Sequence, residues 1–333
     1  MPSWWLTRGV IARLLLPLAW IFGAIVALRH GLYRVHLLRM HRVDVPVVVV
    51  GNLVAGGAGK TPVVLALIEV LRARGYTPGI VSRGYGGRVD GVLVLDGQTS
   101  AAQAGDEPTL LHRRSGAPVA VGRDRLAAAR ALRLAHRNVD VIVSDDGLQH
   151  LRLARDAQLI VFDERGVGNG WLMPAGPLRD ALPDHLPPRT LVVYNAGAAS
   201  TALPGTLGIR SLAGVTSLAE WRRGGEPSAA ALEALRGRPV VAVAGVARPQ
   251  RFFSMLHERG LTITPLPMPD HHAYATLPWP ADTADVVVTE KDAIKLDPLA
   301  SGRTRIWVAP LDFRLDADVA PALLALLPPP RSR

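Results

Sequence analysis

The chain has no cysteine, which excludes disulfide staples, thiolate nucleophiles and cysteine-ligated zinc. Aromatic residues make up only 5% of its 333 residues while hydrophobic residues reach 49%. Leu, Val and Ala must therefore fill the interior, a profile that suits α/β architecture better than a β-sandwich. Lysine is nearly missing: it occurs only at Lys60, Lys291 and Lys295, leaving 35 of the 38 basic residues as arginine. Against such a background a retained lysine marks a place where a slim ammonium fits and a planar guanidinium does not, unless it is a surface lysine kept by chance. The net charge of +10 does not read as nucleic-acid binding, because no recognisable module is present and aromatics for base stacking are few. An anionic membrane surface or a phosphorylated substrate is left for it to serve.

Leu14 to Leu28 is an uncharged run of 15 residues, short of the roughly 20 needed to span a bilayer. Arginines flank it on both sides, and Trp4, Trp5 and Trp20 add rings that favour the headgroup region. The pattern predicts a helix lying in or dipping into one leaflet, against a buried core helix or a single span as alternatives. From Val45 the pattern changes. "VPVVVVGN" has no polar alternation and reads as a parallel strand covered on both faces. A glycine-rich loop follows, and then "PVVLALIEVLRARG" shows helical periodicity ending at Gly75. Further strand-like pieces alternate with helical ones such as "DRLAAARALRLAHR", which implies a mostly parallel sheet. Residues 196–230, rich in small residues, read as a hinge or crossover, and a second unit begins at "RPVVAVAGVARPQRFFSMLHERG". The expected fold is two α/β/α domains, the first a mostly parallel sheet of phosphate-loop type, preceded by a membrane-associated helix. The expected segments are 1–42, 43–200 and 201–333.

The loop "VAGGAGKTP" departs from G-x-x-x-x-G-K-[ST], since Val54 stands where the first glycine belongs. The rest of the cradle is present. Gly56, Gly57, Ala58 and Gly59 let backbone N–H groups face a polyphosphate, Lys60 reaches its outer phosphates, and the Thr61 hydroxyl is a magnesium ligand. Downstream, "VDVIVSDDGLQH" ends a strand in Asp145 and Asp146, where a parallel strand delivers magnesium-organising carboxylates to the edge that holds the phosphate loop. Adjacent residues turn to opposite sides unless the strand has already ended. "SRGYGG" offers Arg83 to a phosphate or is an ordinary turn. "GDEP" puts Asp106 and Glu107 at a helix start, either as caps or with Asp106 taking a proton from a substrate hydroxyl. "PDHHAY" pairs an acid with two histidines, which fits a catalytic or structural histidine better than a metal site.

In order along almost the whole chain, "VGNLVAGGAGKTP", "SRGYGG", "GDEP", "SDDGLQH", "NGWLMPAGPLRD", "VAVAGVARPQRFF", "PDHHAY" and "TEKDAIK" resemble the tetraacyldisaccharide 4'-kinase family of the lipid A pathway. The resemblance implies ATP and Mg2+ as cofactors and an acylated glucosamine disaccharide 1-phosphate lipid as acceptor. It also implies a monotopic site at the cytoplasmic face of the bacterial inner membrane, reached through the N-terminal helix, and a second domain that closes over the nucleotide. The protein is expected to act as a monomer. In this reading Lys60 and Thr61 bind phosphates and metal, Asp145 and Asp146 complete the metal site, Asp106 is the general base and His271 tunes it. Arg83, Glu107, Arg125, His150, Arg179 and Asp180 contact substrate, with Arg123 competing for the place of Arg125. Asp180 departs from the family's glutamate, which shortens its reach. The family does not restrict the first loop position to glycine, so Val54 is no objection. The other class of function weighed is a membrane-associated phosphate-loop switch or partitioning ATPase; the spacing in "TEKD" does not match a guanine-specific motif.

Overall fold

The computed structural model describes residues 2–297 and 302–330; Met1, residues 298–301 and the last three residues of the expected 201–333 segment lie outside them. The first sheet has eight strands: β1 (Val47–Gly51), β2 (Pro78–Ser82), β3 (Val92–Val94), β4 (Val119–Gly122), β5 (Val141–Asp145), β6 (Ala157–Phe162), β7 (Thr190–Tyr194) and β8 (Thr206–Leu207). Their spatial order is β3-β4-β2-β5-β1-β6-β7-β8, parallel throughout except for β3. The valine-rich runs without alternation are completely buried in β1, β2 and β5, as expected for strands covered by helices on both faces. Two cores result, one around Val48, Val50 and Leu67 and the other around Val49, Leu132 and Phe162.

Within this sheet β1 lies between β5 and β6, with Val50 level with Asp145 and Gly51 with Ile160. The chain moves outward in one direction through β2 and β4 and later in the other through β6 and β7. The carboxyl end of β1 is thus a switch point, where a crevice opens. The loop after β1 occupies it and feeds the helix Lys60–Ala73.

The second sheet is formed by β10 (Thr216–Ser217), β11 (Val240–Ala244), β12 (Ile263–Pro267), β13 (Asp285–Val288) and β14 (Arg305–Val308), in the order β10-β14-β13-β11-β12. An antiparallel ribbon of β9 (Ile209–Leu212) and β15 (Leu311–Arg314) joins the two units. The segment read as a crossover therefore carries short strands and two short helices, Leu218–Arg222 and Ala229–Glu233. Two features do not coincide with a division at residue 200. Strand β8 still pairs with β7, and the chain returns from β15 onward, burying Phe313, Val319 and Leu323 in the first core. Edge strand β12, with Pro265 and Pro267, was not among the strands read from the sequence; prolines are tolerated on an edge strand, where one side has no neighbour to bond.

The N-terminal helices Val10–Leu14 and Leu16–Arg34 are separated at Leu15, with Pro17 in the first turn of the second, where its missing N–H costs nothing. The core-helix alternative is excluded, since only Ala12 and Ala19 are buried while Val10, Leu14, Leu18, Trp20, Ile25 and Leu28 are exposed. By length and composition Leu16–Arg34 is able to cross a membrane. The "NGWLMPAG" stretch is its seat. Asn169 donates to the carbonyls of Trp4 and Thr7, Trp5 Nε1 donates to Pro174 O, Arg8 stacks over Trp171, and Leu172 fills the gap opposite Gly23.

Candidate active site

The phosphate loop is held by its surroundings as much as by its glycines. Gly56 and Gly59 adopt left-handed φ of 91° and 71°. At Gly59 a Cβ would also fall 1.9 Å from Asn195 Nδ2, which donates to the carbonyls of Ala58 and Gly59. Asn52 at the end of β1 donates to Val54 O and Gly56 O from the inside of the loop. Val54 itself is 3% exposed and packs in the second core of the first domain. Position 54 therefore faces the interior, away from any phosphate.

Lys60 opens the helix at 9% exposure, its Nζ 3.3 Å from Asn52 Oδ1 and 3.4 Å from Asp146 Oδ1. Asp145 is the last residue of β5 and Asp146 has φ 48°, so the strand has ended between them and alternation does not part the two carboxylates. Asp145 is 1% exposed. Ser82 Oγ donates to its Oδ2 at 3.0 Å, while its Oδ1 is buried without a hydrogen-bond partner. Burial first, then the charge of Glu107, push its pKa up to about 7 against the pull of Lys60. Asp146 is held low instead: burial opposes ionisation, but Lys60 and Arg179 outweigh it.

An orphaned carboxylate oxygen in such a place is what a divalent cation satisfies. Among the described residues there is no cluster of three or more acidic or histidine side chains to hold a metal alone. The donor set of Thr61, Asp145 and Asp146 suits Mg2+, which takes one or two carboxylates and completes its shell with phosphates and water.

The expected substrate residues divide. Arg125, 4% exposed, donates to Asp146 O at 3.3 Å, whereas Arg123 is exposed. Arg179 donates to Asp146 at 3.3 Å and to Asn52 Oδ1 at 3.0 Å. His150 is held neutral, its pKa lowered to about 4 by burial and then by Arg125. Asp180 faces the N-terminal helix: His30 Nε2 is 3.0 Å from its Oδ1 and Gln149 donates to its Oδ2 at 2.8 Å. The shorter aspartate reaches both. Arg83 is exposed, and its charge acts on Arg125.

Across the cleft, Asp106 is the first residue of the helix Asp106–Ser115, capped by Gly105 without side-chain help. Its carboxylate is therefore not a cap; it meets His271 Nδ1 at 3.0 Å. This helix belongs to both units, with Leu111 in the first core and Leu110 in a core of the second. That double anchorage is what holds Asp106 at the boundary. Lys295, 9% exposed on its side chain, lies 3.4 Å from Asp106 Oδ2 and 3.6 Å from buried Asp292. Lys291 reaches Glu107 at 3.3 Å and Asp270 at 3.1 Å. Neither lysine was given a role from sequence; their scarcity and their place in the "TEKDAIK" motif were the signals.

A cleft of about 240 Å³ runs between the two edges, lined among others by Gly57, Gly59 and Thr61 from one unit, Ala247, Arg248 and Lys291 from the other, and Glu107 from the helix they share. A phosphate loop with a lysine and paired aspartates on one side, and an acid-histidine pair on the other, define a phosphate-loop phosphotransferase. The sequence matches the family described as LpxK, tetraacyldisaccharide-1-P 4'-kinase, over residues 11–328. It is 54% identical to the tetraacyldisaccharide 4'-kinase of Methylibium petroleiphilum over 330 residues, 98% of this chain and 92% of that one. With that of Leptothrix cholodnii it is 51% identical over 329 residues, 97% and 94% of the two chains. The fold matches the crystal structure of LpxK from Aquifex aeolicus in complex with ATP with a TM-score of 0.78 at 25% identity, covering 96% of this chain and all of that one. The chain belongs to the tetraacyldisaccharide 4'-kinase family. It is thus an ATP-dependent kinase of lipid A biosynthesis, acting on the 4'-position of tetraacyldisaccharide 1-phosphate.

Proposed function

We propose that the cleft divides the reaction between its two sides: the phosphate loop holds and neutralises the polyphosphate of ATP, and Asp106 takes the proton of the sugar 4'-hydroxyl. The observation that carries this reading is that Glu107, which lines the cleft beside Thr61 and acts electrostatically on the partnerless Asp145, is the chain neighbour of Asp106, whose carboxylate pairs with His271. The hydroxyl oxygen bonds to the γ-phosphorus as the bond to the bridging oxygen breaks, the proton passes to the Asp106 carboxylate, and ADP leaves. Phosphoryl transfer depends mainly on positioning and charge neutralisation. Lys60 supplies the cation at the outer phosphates, and Arg125 and Arg179 keep Asp146 ionised and aimed. When bound by Thr61, Asp145 and Asp146, Mg2+ would neutralise the phosphate oxygens.

The second unit closes over the nucleotide in this reading. Ala247 already comes within 3.3 Å of where a Cβ on Gly57 would stand, and Arg248 pairs with Asp163 of the first unit at 3.5 Å. The exposed apolar helix seats the protein on the inner membrane from the cytoplasmic side, where ATP is at hand and a four-chain lipid need not leave the bilayer. Its contact to Asp180 places that surface beside the phosphate-side residues. The test is an assay of the full chain in detergent with ATP, magnesium and the tetraacylated disaccharide 1-phosphate. A new phosphate monoester formed only with the lipid is expected. ATP turnover indifferent to the lipid would return the reading to a membrane-associated ATPase.

A further inference from the structure

Lys291 lies on the short helix Glu290–Ala293 with its side chain 15% exposed. Its ammonium meets three acceptors: Asp270 Oδ1 at 3.1 Å, Glu107 Oε1 at 3.3 Å and His271 Nε2 at 3.4 Å. An ammonium has three N–H donors and no lone pair, so the three contacts use it completely. Burial opposes the charge, but Glu107 and Asp270 outweigh it and raise its pKa, so Lys291 is a cation throughout the working range. Towards His271 it can only donate. Nε2 must then present its lone pair, and the proton of the neutral ring sits on Nδ1, aimed at Asp106 Oδ2 3.0 Å away. The competing acceptor for a proton on Nε2 is Asp270 Oδ1. It is 3.9 Å distant, beyond hydrogen-bond reach, and already accepts from Lys291.

We propose that Lys291 is a positioning residue that fixes His271 as the Nδ1–H tautomer, so that the imidazole donates to Asp106 and leaves it an anion free to accept the substrate proton. Without the Lys291 donor at Nε2, the Asp106 contact alone favours this tautomer, and the ring can take the other form by turning away from Asp106. This inference rests on the reading of Asp106 as the base, but its primary readout does not need turnover.

The test is a nitrogen NMR spectrum of the full-length protein in detergent, labelled at the imidazole nitrogens of its 10 histidines. The His271 signals are assigned by their loss in His271→Gln. Wild type should show a neutral His271 with its proton on Nδ1. A proton on Nε2, or on both nitrogens, at neutral pH would overturn the proposal without any variant. In Lys291→Met the Nδ1–H form should give way to a mixture, with kcat reduced roughly 10- to 100-fold, the range for a partner that orients a working side chain, and the KM for ATP within about twofold. An unchanged tautomer in Lys291→Met, or a raised KM for ATP at unchanged kcat, would overturn it; the second outcome would make Lys291 a nucleotide contact.

Discussion

On the phosphate side of the cleft the loop lysine and the paired aspartates are neighbours in the chain or in the sheet, and Arg179 comes in from beyond it. Lys60 meets Asn52 eight residues before it, and Asp145 reaches the loop because β5 runs beside β1 with Asp145 level with Val50. On the other side the partners are far apart in sequence: Asp106 and His271 are separated by 165 residues, Glu107 and Lys291 by 184. The first arrangement follows from backbone rules, a glycine loop at the end of a buried parallel strand. The second exists only because one helix, Asp106–Ser115, is packed into both units at once. The two sides are thus specified by different physics, and mutations on them should fail differently.

The largest combined effect on binding and turnover is expected from Lys60→Ala, which in the proposed reading removes a buried cation from the phosphates. Loss of one preorganised charge of this kind costs about 10²- to 10³-fold in kcat, and ATP binding should weaken as well, so kcat/KM for ATP falls further than kcat. Steady-state kinetics and a binding titration measure the two parts. Intact ATP affinity would break the assignment of this side to nucleotide.

How legible each side was follows from the same contrast. The strands, the loop and the helix starts could be read from β-branched runs, glycines and 3.6-residue spacing. The pairing of Asp106 with His271 came only through family resemblance, because no local pattern reports a contact made by packing. Spacing could not separate Arg123 from Arg125; in the fold Arg125 is buried beside Asp146 and Arg123 is exposed. Lys291 and Lys295 were visible as rare residues without partners, and Asp180 as a departure from the family. What these residues touch depends on how the second unit and the N-terminal helix dock, and neither is written in a short stretch of chain.

A smaller effect is expected from Leu18→Glu with Ile25→Glu on the exposed face of the N-terminal helix, which sits on the phosphate side through His30 and Asp180. Each apolar side chain withdrawn from lipid forfeits about 1.5–3 kcal/mol. Binding to vesicles containing anionic lipid should drop about tenfold or more while ATP affinity in detergent is unchanged. Undiminished vesicle binding would assign the exposed face to another partner. Least affected should be ATP affinity in Val54→Gly. The valine is core, so thermal or denaturant unfolding should show a loss of roughly 2–3 kcal/mol for the cavity and the freer backbone, with the ATP dissociation constant the same within about twofold. A large gain in ATP affinity would show that the valine is a defect in the loop.

The division of labour across the cleft is tested most directly in Asp106→Ala, by measuring the ATP dissociation constant and kcat on the same preparation. The account predicts an unchanged dissociation constant with kcat lowered about 10²- to 10⁴-fold, the range for loss of a general base. Loss of ATP binding, or turnover close to wild type, would contradict it.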